Sequence, residues 1–201
     1  MRVIAGTLGR RTLEAPEGLA TRPTSDRLRE TLFNVLAPKI EGARFLDLYA
    51  GSGGVGIEAA SRGAHDVVLV ERAAPALRVL RGNLEKLGLR GGVRVEAIAV
   101  ATFLKRVRPA TADMVFDIVF MDPPYKAESE YASSMGLLGG DASRLLKAGA
   151  VVIAEHRRHD KLEKRYGLLE LTRVLEQGDA ALSFYKPNLR TEAQEHASEE
   201  S

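Results

Sequence analysis

Between Phe45 and Glu155 the chain alternates short β-branched or aliphatic runs with segments of helical period, a pattern that few architectures accommodate. Phe45–Tyr49, Asp66–Glu71, Val93–Ile98, Asp117–Asp122 and Ala150–Glu155 are too short for buried helices and predict strands. Helices are predicted through Ile57–Ala60, over Pro75–Leu87, over Ala101–Val107 and within Tyr131–Leu146. In the second of these Leu77, Leu80, Leu84 and Leu87 share one face. Helix-length crossovers imply parallel pairing with both faces of the sheet covered. Two closely spaced runs, Leu168–Leu175 and Ala181–Lys186, predict an antiparallel pair. The expected fold is therefore α/β, with a mostly parallel seven-stranded sheet and an antiparallel last strand.

Upstream, Val3, Ala5, Thr7 and Thr12-Leu13, punctuated by Gly6 and Gly9, predict a short hairpin carrying Arg10 and Arg11 at its turn. It reads as a basic flap. A loop with Pro16, Gly18 and Pro23 leads to Ser25 or Asp26 as N-cap of a helix, which Pro38 should stop. Three regions are expected: a basic hairpin and loop over 1–24, the main domain over 25–187 and a disordered acidic tail over 188–201.

Composition removes several chemistries. The chain has no Cys, which excludes disulfides, thiolate metal sites and a cysteine nucleophile. Its four histidines, His65, His156, His159 and His196, form no ligand set, so no metal is expected. No apolar stretch approaches the ~20 residues of a membrane span and the N-terminus lacks an apolar signal region, so a cytoplasmic protein is expected. Net charge is only +2, yet the first 44 residues hold eight cationic against five acidic side chains, which localises any nucleic-acid affinity there.

Two motifs carry chemistry. Asp122-Pro123-Pro124-Tyr125 follows the apolar run Ile118–Met121, delivering a carboxylate, a rigid turn and an aromatic ring at the end of a buried strand. The prolines remove two backbone donors, leaving the Asp122 carboxylate and the Pro123 carbonyl as acceptors and Tyr125 as a stacking face. That set suits a flat ring bearing an exocyclic amine. The other motif, Gly51-x-Gly53-x-x-Gly56, turns the first strand into a helix with the spacing of a dinucleotide loop, and Glu71 ends the second strand where ribose hydroxyls would lie. Asp47, just before the glycines, would repel a pyrophosphate but suits the ammonium of a methionine moiety. Structural alternatives stay open: Asp47 as a turn cap, and Glu71 paired with Arg72 or Arg78.

With Phe45–Gly56, Glu71 and Asp122–Tyr125 in register, the chain resembles the class I, Rossmann-like methyltransferases that use S-adenosylmethionine. Arg22-Pro-Thr-Ser-Asp-Arg-Leu-Arg-Glu-Thr-Leu-Phe-Asn34 narrows the resemblance to the bacterial RsmD family, over about residues 2–186. The resemblance implies methylation of N2 of one guanine in small-subunit (16S) ribosomal RNA, on an assembled or assembling subunit; a monomer is the default expectation. It implies that Asp47, Ala50, Gly51, Ser52 and Gly53 lie along the methionine part of the cofactor, with Glu71 and Arg72 at the ribose. Ile98 and Ala99 fall at the adenine, and because Ala99 offers no polar side chain, backbone groups and apolar packing are expected to read it. Asp122, Pro123 and Tyr125 would meet the base, with Asp122 also beside the cofactor, while Arg10, Arg11, Arg22 and Arg29 would meet RNA. A helix-cap role for Ser25 or Asp26 and a core role for Leu28, Leu32 and Phe33 explain several positions of that block equally well. Competing readings are an N6-adenine DNA methyltransferase, a protein-glutamine methyltransferase and a cofactor-binding RNA assembly factor without catalysis.

Overall fold

A computed structural model of the protein describes residues 1–15, 25–106, 115–124 and 128–188. Five helices, α1 (Asp26–Ile40), α2 (Gly54–Ser61), α3 (Ala74–Leu87), α4 (Val100–Arg106) and α5 (Glu128–Gly139), pack on one sheet. Its strands are β1 (Arg44–Asp47), β2 (Asp66–Val70), β3 (Val93–Glu96), β4 (Phe116–Met121), β5 (Leu146–Arg157), β6 (Arg165–Tyr166), β7 (Leu169–Gln177) and β8 (Ala180–Pro187), in the order β3-β2-β1-β4-β5-β8-β7-β6. The first five positions in that order pair in parallel. The last three are antiparallel.

This is the expected fold with one strand added. β6 is a two-residue edge piece before Gly167, too short to leave a periodic signal. Several boundaries also move: α5 opens at Glu128, ahead of the expected Tyr131, and β1 and β3 end two residues early. α1 continues through Pro38 to Ile40, because burial of Leu36 and Ile40 against the core outweighs one missing N–H in the last turn. β5 begins at Leu146, four residues early, with a register shift between its Leu146 and Val151 opposite Phe116–Ile118.

Strand order reverses between β1 and β4, so the carboxyl ends of these two strands flank the crevice where open α/β sheets bind ligands. One face of the sheet, carrying Ile118, Phe120 and Ile153, packs on α1, α2 and α3. The other, carrying Val119, Met121 and Val152, packs on α4 and α5. Gly56 lets α2 approach β2 closely, since any β-carbon there would overlap Leu69.

The N-terminal hairpin is no loose flap. Arg2 and Thr12 form its only regular bridge among the described residues, while Val3 and Leu13 are buried in the α1–α3 core, each stabilising it by about 1.5–3 kcal/mol. Glu58 and Ser61 on α2 hold its backbone: Ile4 and Ala5 N–H donate to the Glu58 carboxylate at 2.7 and 3.0 Å, and Leu8 N–H donates to Ser61 Oγ at 3.0 Å. Gly6 (φ 81°) lies so close that an added β-carbon would collide with the Ser61 carbonyl. Gly6→Ala should therefore destabilise the protein by about 3 kcal/mol, combining overpacking with left-handed backbone strain. Denaturant midpoints compared at equal m-value check this; an unchanged midpoint would mean that the hairpin is not docked.

Candidate functional site

Asp47 is the last residue of β1 and lies level with Phe120 of β4, so its side chain shares the α1 face of the sheet. It is 1% exposed. Oδ2 accepts from Gly56 N–H at 3.2 Å, tying the strand end to α2, whereas Oδ1 has no partner of full hydrogen-bond geometry among the described residues. Burial pushes the carboxyl up to about 7, opposed by the N–H groups of Gly56 and Tyr49 and reinforced by Glu71 and Glu155. A buried carboxylate of this kind calls for a cation.

The glycine loop is held from two sides. Gly51 N–H donates to Glu71 Oε2 at 2.9 Å, and the Ser52 carbonyl accepts from Asn83 Nδ2 at 3.0 Å. Gly51 and Gly53 both have positive φ, 54° and 87°, which glycine alone adopts at little cost. Nothing faces Gly51 within 4 Å of a hypothetical β-carbon, so its surface is open to a ligand. Ala50 is buried, its N–H donating to Val70 O at 3.0 Å.

Glu71, half-buried just past β2, also accepts from Arg72 N–H at 2.8 Å and Ala73 N–H at 2.7 Å. It does not pair with Arg72 or Arg78; each oxygen retains acceptor capacity toward a ligand. Arg72 is exposed, its guanidinium 4.0 Å from Glu130 on α5. Ile98 and Ala99 follow β3 at the same rim, both partly exposed, with the Ala99 carbonyl engaged by Phe103 N–H at 2.9 Å.

Asp122 follows β4 and is half-buried, with Pro123 buried behind it and Pro124 exposed. Its carboxyl is held well above the usual carboxylate range by burial, then by Glu155 and Asp47 nearby. Neither Asp47 nor Asp122 has a cationic side chain within ion-pair distance among the described residues. Tyr125 and Arg22 lie outside the described residues.

Arg10 and Arg11 are exposed at the hairpin turn, Arg10 with φ 70°. Arg29 is different. Its side chain is fully buried, pairing with Asp26 at 2.9 Å and the Glu58 carboxylate at 3.8 Å and donating to the Arg2 carbonyl. It joins α1, α2 and the hairpin internally, so the expectation of an RNA contact at Arg29 gives way to a structural role. Ser25, not Asp26, caps α1, accepting from Leu28 N–H at 3.1 Å.

Sequence reasoning passed over three residues. Asn83 sits among the leucines of the buried α3 stripe, where a polar residue at apolar spacing is itself a signal. Besides holding Ser52, it accepts from Glu14 N–H at 2.9 Å and donates to Glu14 O at 3.1 Å, joining the hairpin exit to the glycine loop. Tyr49 donates its hydroxyl to Glu130 at 2.9 Å and lies 2.8 Å from Ser134 Oγ, fastening the glycine loop to α5. Glu155, 3% exposed in β5, completes a row of acids with Asp47 and Asp122.

A family model described as "Conserved hypothetical protein 95" matches residues 1–186. YlbH of Bacillus subtilis is 37% identical over 92% of this chain and 98% of its own length. The "Ribosomal RNA small subunit methyltransferase D" of Escherichia coli is 41% identical over 63% of this chain, an alignment that spans 61% of that relative. Among solved structures, YhhF of Escherichia coli superposes with a TM-score of 0.79 at 32% identity, covering 94% of this chain and 99% of the other. A hypothetical protein of Thermus thermophilus, TTHA0928, gives 0.76 at 34%, covering 92% and 98%. With a match that runs from the hairpin to the last strand and a shared sheet architecture, the chain belongs to the conserved hypothetical protein 95 family, the RsmD-type Rossmann-like methyltransferases.

Proposed function

We propose that this protein transfers a methyl group from S-adenosylmethionine to the exocyclic N2 of one guanine in 16S ribosomal RNA, acting as a monomer on the small subunit in the cytoplasm. The observation that carries this reading is the placement of two carboxylates on one face of the sheet: Asp47 at the end of β1, just before the glycine loop, and Asp122 two residues beyond its register partner Phe120. Strand geometry puts their Cα atoms about 8 Å apart. One end serves a cationic donor, the other an amine acceptor.

The residues present fit that cofactor. Asp47 Oδ1, without a hydrogen bond of full geometry among the described residues, suits an ammonium, Glu71 has acceptor capacity for ribose hydroxyls, and the open surface at Gly51 admits backbone-close contact. Ala50, Ser52 and Gly53 would line the methionine portion, Arg72 would flank the ribose, and Ile98 and Ala99 would pack the adenine. When bound, S-adenosylmethionine supplies an electrophilic methyl on a sulfonium. Asp122 and the Pro123 carbonyl accept hydrogen bonds from guanine N2–H, which favours a pyramidal, nucleophilic nitrogen and stabilises the positive charge that develops there. Holding donor and acceptor in line supplies most of the acceleration. Tyr125 stacks on the base, worth about 1–3 kcal/mol, and the target must be unstacked to enter.

Arg10 and Arg11, with Arg22, then engage phosphates. Reversing both hairpin charges (Arg10→Glu with Arg11→Glu) should weaken RNA binding about 10-fold or more and lower the salt-dependence slope by about 2, while cofactor affinity stays unchanged. Filter binding over a salt series measures both quantities; an unaltered slope removes the hairpin from the RNA interface.

The activity itself is tested with isotopically labelled cofactor and three substrates: small subunits lacking the modification, naked 16S rRNA and duplex DNA. Nucleoside mass spectrometry should find N2-methylguanine in RNA alone. Label on adenine N6 or on a glutamine amide replaces the guanine assignment, and no label anywhere favours a non-catalytic assembly factor.

A further inference from the structure

Asn83 is 1% exposed on an otherwise apolar stripe of α3, and the chemistry above makes no use of it. Each polar atom of its amide is engaged. Oδ1 accepts from Glu14 N–H at 2.9 Å, while Nδ2 donates to Glu14 O at 3.1 Å and to Ser52 O at 3.0 Å. The site therefore calls for one acceptor and two donors, and among side chains of this size asparagine supplies both. Aspartate would set a carboxylate oxygen against two carbonyls. Leucine would match its neighbours Leu80, Leu84 and Leu87 in shape, but would strip these bonds from one N–H and two carbonyls.

What Asn83 holds is the back of the glycine loop. Leu80, three residues earlier on the same face of α3, packs on Gly53, where an added β-carbon would overlap its side chain. Gly54 is backed by the hairpin and α1: a β-carbon there would lie 2.9 Å from the Met1 side chain and 3.2 Å from Arg29 Nη1. Within the loop, Gly53 N–H closes the turn onto Ala50 O at 2.7 Å. Flipping the Ser52–Gly53 peptide would break that bond and change φ at Gly53, now 87°, and glycine accepts either sign of φ at little cost. The bond from Asn83 to Ser52 O opposes the flip directly.

We propose that Asn83 is a positioning residue for the methyl donor: it selects one orientation of the Ser52–Gly53 peptide, so that the glycine loop is preformed for the methionine part of the cofactor, and it ties that orientation to a seated N-terminal hairpin. This rests on the S-adenosylmethionine reading above. A loop that samples two shapes binds in proportion to the fraction already in the competent one, so loss of Asn83 lowers cofactor affinity. Methyl transfer itself, once donor and base are held, does not pass through Asn83.

Asn83→Leu fits the leucine stripe and removes all three bonds. Leu87→Ala, at the end of the same stripe, costs core packing without touching any of them and serves as the control. In calorimetric titrations with S-adenosylmethionine, Asn83→Leu should bind about 10-fold more weakly than wild type and Leu87→Ala within about twofold. Methylation of small subunits should show the same rise in KM for the cofactor, with kcat and the KM for RNA within about twofold of wild type. In the ligand-free protein, hydrogen exchange at Gly53 N–H should be about 10-fold faster in Asn83→Leu than in Leu87→Ala. Should Asn83→Leu fail to fold, wild type alone decides: S-adenosylmethionine should slow exchange at Glu14 N–H about 10-fold more than at Thr7 N–H, which the Ser61 carbonyl holds at the hairpin's other end. Equal slowing at the two amides, unchanged cofactor affinity in Asn83→Leu, or a loss shared by Leu87→Ala reduces Asn83 to a core hydrogen bond and overturns the proposal while the cofactor reading stands. Wild type that binds no S-adenosylmethionine overturns both.

Discussion

Asp47→Asn should raise the stability of the ligand-free protein and at the same time weaken cofactor binding. The Asp47 carboxyl is pushed up to about 7 by burial, above its ordinary value of 3.8, so between roughly pH 4 and 7 the folded state holds more protons than the unfolded chain. Stability should fall as pH rises through that window and level off above it. Asp122, also raised, contributes a slope of the same sign. The Asn variant lacks the Asp47 contribution and can still accept from Gly56 N–H, so at pH 8 it should be more stable by about 2–4 kcal/mol. Cofactor binding should show the reverse preference. Wild-type affinity should climb about tenfold per pH unit up to roughly 7, as Asp47 gives up its proton to meet the ammonium. In the variant that dependence should vanish, with affinity about 30- to 100-fold weaker at pH 8. Thermal melts and calorimetric titrations across pH 5–9 measure both. An Asn variant that is less stable and binds cofactor normally would make Asp47 a turn cap instead.

The candidate site is only partly legible in a sequence. Asp47, Glu71 and Asp122 were legible as candidates because each lies at or one residue past the end of a strand whose apolar run is unmistakable, and strand ends in an alternating α/β chain all point to one rim. The parallel pairing of the first five strands followed from the same alternation, whereas their order in the sheet did not. Residues whose meaning depends on a distant partner were not legible. Arg29 reads as one more cation in a basic block, yet its burial follows from Glu58, 29 positions away and itself hidden in an otherwise apolar helix. Asn83 occupies a leucine position, and only tertiary structure shows that it joins Glu14 to Ser52. Glu155 lies inside a continuous buried strand, where periodicity says nothing about which neighbour it meets. β6 was missed for a different reason: two residues carry no period. What escaped was long-range pairing, and it is this pairing that fastens the N-terminal hairpin to the glycine loop.

Asp122→Ala should lower the methylation rate about 10²- to 10³-fold at saturating cofactor and RNA, the usual cost of removing one preorganised electrostatic partner from a reacting centre. The loss should fall on kcat and kcat/KM alike, because the contact to N2 strengthens as charge develops on nitrogen. RNA affinity, governed by phosphate contacts elsewhere, should change less than about threefold. Stability should not fall, since the variant removes a carboxyl that is costly to ionise and has no cationic partner among the described residues. Asp122→Asn should lie between wild type and Ala: it retains an acceptor for one N2–H but carries no charge and takes no proton. Rapid-quench single-turnover assays with all three proteins separate these contributions. If Asn matched wild type across pH 5–9, hydrogen bonding alone would suffice and proton loss would follow methyl transfer into water. If Ala matched wild type, the acceptor turn would have no part in the chemistry.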